Sequence, residues 1–198
     1  ALIQEFASWK PAVESENIPG LGRYFAARDK KFEIVELRDQ ANRSFIDSVA
    51  GDGMGGWTDQ GANNSLEGTP WGRHESLGIP FEFIRVDENA NRTCLVMYGT
   101  HLPSAARRVD GIVVGRQVAA LYFLHVAAWS DVAEGTEIMH YIAHYSDGGT
   151  IKIPIRNGVE IADWWSSKRQ VGEARRAWFN GEQRSLFLIF YHRLGFPR

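Results

Sequence analysis

The chain has 198 residues, 44% of them hydrophobic and 23% charged, with a formal net charge of −2. That length and balance fit one sizeable core, with or without an appended segment, and the near-neutral charge argues against a protein built to grip nucleic acid or an anionic membrane. The single cysteine excludes an internal disulfide and a multi-cysteine zinc site. No uncharged run reaches about 18 residues, so no membrane span is expected.

The first 30 residues read as a lead-in, either a linker or the tail of a preceding segment. One short amphipathic helix is predicted over 3–9, stopped by Pro11. The turn-rich stretch Asn17-Ile18-Pro19-Gly20-Leu21-Gly22 follows. No signal-peptide pattern precedes it, which leaves the compartment open.

From Lys31 the pattern becomes short apolar runs divided by Gly, Asn, Asp and Pro, so 31–198 reads as one β-rich module. Strands are predicted over 32–37, 81–86, 93–98, 111–114, 119–126, 137–145, 150–155, 174–179 and 185–191. Two hairpins are marked, one by Ser146-Asp147-Gly148-Gly149 and one by Asn180-Gly181. Residues 150–155 alternate, with Ile151, Ile153 and Ile155 on one face; Pro154 suits a sheet edge. Residues 119–126 are apolar on both faces and are expected at the centre. Many short strands and no long helix predict an all-β fold, a two-sheet antiparallel β-sandwich.

The most informative stretch is Gly51-Asp52-Gly53-Met54-Gly55-Gly56-Trp57-Thr58-Asp59-Gln60-Gly61-Ala62-Asn63-Asn64. Its glycines and short polar side chains build an ordered loop around one large aromatic. Two readings stand side by side. Trp57 stacks on a sugar while Asp59, Gln60, Asn63 and Asn64 bond its hydroxyls, or Trp57 packs inward and the polar residues cap turns. The Asp52 and Asp59 carboxylates would suit a calcium ion, although the spacing is not that of an EF-hand.

Asp163-Trp164-Trp165 is a second candidate: adjacent tryptophans on a strand point to opposite faces, so that one packs and one covers the surface, whereas in a loop both flank a groove as a binding platform. Trp71, on an apparent loop, would extend such a platform. His140 and His144 share a face, but no acidic partner completes a zinc motif, and paired surface histidines are expected. His125 reads as a hydrogen-bonded core histidine, and Cys94 as a buried inert thiol. No nucleophile elbow, phosphate loop or dinucleotide fingerprint is present.

The series Gly51–Gly61, Gly78-Ile79-Pro80-Phe81-Glu82-Phe83-Ile84, Ala120-Leu121-Tyr122-Phe123-Leu124-His125, His144-Tyr145-Ser146-Asp147-Gly148, Ile155-Arg156-Asn157-Gly158 and Asp163-Trp164-Trp165 resembles a bacterial module attached to glycoside hydrolases. Such modules have the galactose-binding-like jelly roll of carbohydrate-binding modules. The resemblance covers roughly 32–192 and implies a non-catalytic carbohydrate-binding or accessory role, outside the cell or on its surface. It also favours a structural calcium. These modules close with one more strand than this chain shows. That strand is expected near 32–37, or a partner chain completes the sheet, which keeps a structural or assembly role as the alternative. A glycoside-processing enzyme would need two facing carboxylates, a distance the sequence does not give.

Overall fold

The computed structural model describes residues 31–54, 56–166, 168, 170–179 and the backbone of 185–193. The lead-in, where a helix was expected over 3–9, and the expected turn at Asn180-Gly181 lie outside the described residues.

The described chain is all-β. Its strands are β1 (Gly72–Ser76), β2 (Ile79–Phe83), β3 (Ala120–His125), β4 (Glu137–His144), β5 (Thr150–Arg156), β6 (Gln170–Val171), β7 (Ala174–Phe179) and β8 (Ser185–Arg193). Helix is limited to two 3-10 turns, Ala62–Asn64 and Val86–Glu88. The strands form three small antiparallel sheets, β1-β2, β3-β8-β7-β6 and β4-β5. Among the described residues no ladder joins these sheets into two broad layers.

The β4–β5 hairpin follows the sequence reading. Tyr145 N–H donates to the Gly149 carbonyl (2.8 Å), and Asp147 Oδ1 accepts the Gly149 N–H (2.8 Å). Gly148 takes φ 87°, which the turn requires. Ile153 and Ile155 are buried and Lys152 and Pro154 exposed. Pro154, opposite His140, has no N–H to offer, and β5 pairs only with β4 among the described residues.

The β1–β2 hairpin was not expected. Gly72-Arg73-His74-Glu75-Ser76 has no apolar alternation. It is held by a turn in which Leu77 and Gly78 both take positive φ (53° and 77°), the backbone of a type I′ hairpin. The buried Ser76 hydroxyl donates to the Ala177 carbonyl, tying this hairpin to β7.

Three expected strands form no ladder. Residues 32–37 and 111–114 belong to no strand. Residues 93–98 make only isolated bridges, Arg43 with Cys94 and Met97 with Ala106. Side chains replace the ladder there: Asn42 Nδ2 donates to the Val96 carbonyl (3.0 Å) and its Oδ1 accepts the Val96 N–H (2.8 Å). The expected closing strand near 32–37 is therefore absent.

β3 is a correction of another kind. It is the terminal strand of its sheet among the described residues, and it is half-buried rather than central in a ladder. Yet both its faces pack. Tyr122 and Leu124 meet a core built on Phe45, Trp57, Leu66, Ile79, Phe83, Trp164 and Trp178. Phe123 meets a second core of Ile153, Ile155, Ile161, Ala162, Val171 and Ala174. An edge strand between two cores explains an apolar run on both faces.

Candidate functional site

The 51–64 loop is organised from its own polar groups. The Gly51 N–H donates to the Asp59 carbonyl (2.9 Å). Asp52 Oδ1 accepts the Met54 N–H (2.7 Å), and the Asp59 carboxylate accepts the Gly53 N–H (3.2 Å). The buried Asp47, outside the expected site, holds the base: Oδ2 accepts the Gly61 N–H (2.8 Å) and Oδ1 the Val49 N–H (3.2 Å). Gly56 (φ 39°) lies directly over that carboxylate; a Cβ there would stand 2.1 Å from Asp47 Oδ2. Gln60 pairs with Ala50 in an isolated bridge and is exposed, while Asn63 and Asn64 form the 3-10 turn.

Trp57 points inward. It is 8% exposed, its Nε1–H donates to the Asn64 carbonyl (3.1 Å), and its ring meets Trp164. The expected stacking platform on Trp57 does not exist, because apolar burial and a backbone acceptor satisfy the indole completely. Trp71 is half-buried against Phe45 (6.4 Å between centroids) and belongs to the core margin. Asp52 and Asp59 each accept an N–H of their own loop. Among the described residues no three His, Cys, Asp or Glu side chains are grouped to hold a metal ion.

The Asp163–Trp165 corner is different. A parallel bridge sets Asp163 beside Ala127, with Trp164 N–H donating to the Ala127 carbonyl (2.9 Å). Trp164 is fully buried, whereas Trp165 is 50% exposed, its ring 4.7 Å from the Trp164 ring at 51°. The Asp163 carboxylate fastens two segments at once. Its Oδ1 accepts the Trp165 N–H (2.9 Å) and its Oδ2 the Ser130 N–H (3.1 Å).

The residue before Ser130 is Trp129, an aromatic at φ 53°, whose ring stacks on His101 (4.8 Å, 28°). A bulky residue in the left-handed region is strained and persists only where its surroundings hold it. Standard bond lengths added to these contacts put the Trp129 and Trp165 Cα atoms within roughly 12 Å. The corner therefore carries Trp165, Trp129 and His101 on one framework. Trp129 and His101 were not singled out from sequence, since nothing in Ala127-Ala128-Trp129-Ser130 announces positive φ.

Beneath this corner lies a neutral polar chain. Tyr141 O–H donates to His125 Nδ1 (3.1 Å), and His125 Nε2–H donates to the Glu160 carbonyl (2.8 Å). Phe123 and Tyr141 stack at 4.1 Å. Burial brings the His125 imidazole down to about 4 and pushes the Tyr141 phenol up. The buried Glu160 carboxylate accepts the Arg156 N–H (2.8 Å) and the Arg156 Nε–H (3.0 Å). Every polar atom in this chain has a structural partner, so it holds the 156–161 turn rather than facing a ligand. His140 and His144 are exposed on β4; His140 Nδ1 meets Glu137 (3.1 Å).

No family model, curated protein or solved structure matches the chain.

Proposed function

We propose that the chain is a non-catalytic module of an extracellular or cell-surface carbohydrate-active protein, and that it binds carbohydrate at the Asp163–Trp165 corner. On this reading the three sheets are parts of one galactose-binding-like β-sandwich, and the two cores flanking β3 are its interior. The observation that carries the site is the double use of Asp163. One carboxylate presents the exposed Trp165 and the strained Trp129 from a common support. Two aromatic faces on a rigid corner suit the apolar faces of successive sugar rings, and rigidity lowers the ordering cost of binding.

The test is a polysaccharide-affinity screen with calcium and again with chelator, followed by tryptophan fluorescence titration. Trp165→Ala and Trp129→Ala should each abolish a saturable hit without moving the urea midpoint. Binding that survives both substitutions, or no hit in either condition, overturns the proposal.

A second reading, an assembly subunit, draws on β4–β5. This sheet has two strands among the described residues, with Ile138 and Ile142 exposed on its outer face. An open edge beside exposed aliphatics admits a strand from another chain. A concentration-independent monomer in light scattering would count against it.

A further inference from the structure

A concavity lies on β1–β2, and it shares no lining residue with the Asp163 corner. It is a cleft of about 450 Å³ lined by Phe32, Arg73, His74, Glu75, Gly78 and Pro80. That volume is within the range of small-molecule sites. Two walls are apolar. Phe32 is set edge-on against Tyr122 (5.7 Å, 70°), and Pro80 stands across from Glu75 with no N–H to offer.

The charges in the cleft are the informative part. Arg73 and Glu75 alternate with the half-buried His74, so both face outward, roughly 7 Å apart along β1. Directly across from Arg73 is Glu82, the acid expected to neutralise it. Glu82 is instead taken by Arg38 (2.6 Å), which also pairs with Glu36 and Glu88. Among the described residues Arg73 makes no ion pair, and neither does Glu75. Burial lowers the His74 pKa, so at neutral pH the imidazole is uncharged and leaves Arg73 as the cation of the cleft.

We propose that this cleft binds a hydroxylated carboxylate of monosaccharide size, a uronic acid. The Arg73 guanidinium takes the carboxylate as a two-pronged donor. Glu75 faces the ring hydroxyls, and Phe32 and Pro80 cover its apolar edge. This site is independent of the Asp163 corner, and either could exist without the other.

Amide NMR titrations of the full chain with sodium galacturonate and with its uncharged methyl ester test it. The acid should give saturable shifts confined to 72–83 and the ester should bind at least about tenfold more weakly. Arg73→Gln, on an exposed side chain, should weaken the acid by a similar factor and erase the preference over the ester. Trp165→Ala should change neither. Equal binding of acid and ester, shifts centred elsewhere, no saturation, or a zwitterionic amino acid displacing galacturonate would overturn the proposal.

Discussion

Trp57 meets Trp164 edge to face, their ring centroids 5.0 Å apart and the planes at 87°. Through this contact the glycine-rich loop and the Asp163 corner share one core. Trp57→Ala and Trp164→Ala should each cost about 3–5 kcal/mol, a large part of a domain's stability. Urea midpoints check this. An unchanged midpoint for either variant would mean that its indole is not core. Any ligand binding lost in these variants would report unfolding rather than a missing contact.

Gly56 and Gly148 both take positive φ, yet they should respond oppositely in degree. Gly148→Ala meets nothing within 4 Å, so only backbone strain opposes it, about 1–2 kcal/mol. Gly56→Ala would drive a methyl into the Asp47 carboxylate and strip the Gly61 N–H of its acceptor, adding the cost of a stranded buried group. Thermal melts of the two variants should separate clearly, and equal losses would refute the close approach.

His125 makes stability depend on pH. Its folded pKa, about 4, lies below the ordinary value of 6.5, so the unfolded chain takes up the proton first as pH falls. The contribution is complete above pH 6.5 and is lost as pH drops through 4, amounting to about 3 kcal/mol at most. His74, lowered for the same reason, acts in the same direction. His125→Phe should be less stable at pH 7, because Tyr141 loses its acceptor, but should show a flatter midpoint between pH 7 and 4.5. Parallel curves for the two proteins would exclude His125 as the source.

Cys94 should be inert. Burial pushes its thiol well above the ordinary range, and Sγ lies 3.4 Å from the Arg43 carbonyl. A disulfide reagent at pH 8 should label it only in denaturant. Rapid labelling of the native chain would place the 43–94 contact in error.

Where the chain obeys a simple period, its fold is readable. The Ile151, Ile153 and Ile155 alternation and the Asp147-Gly148 turn specify β4–β5 without help from the rest of the molecule. β1 is unreadable because its strand is polar and its turn places a leucine at positive φ. Residues 93–98 look like a strand because they are apolar and extended; what sequence cannot show is that Asn42, rather than a neighbouring strand, satisfies Val96. The Trp57 loop was legible as a loop. Which way its indole turns was not, since a ring facing a sugar and a ring facing Trp164 need the same residues. Asp163-Trp164-Trp165 left open whether both rings flank a groove or one turns in and one out, and its partnership with Ser130 is a long-range contact that no spacing records.

Because single side chains such as Asp47, Asn42 and Asp163 clasp the regions between the sheets, those regions need not open with the strands. Amide hydrogen exchange would see this directly. The N–H groups of Gly61, Val96 and Ser130 would be released one clasp at a time, each by a single substitution, while the amides of β4 and β5 kept their protection.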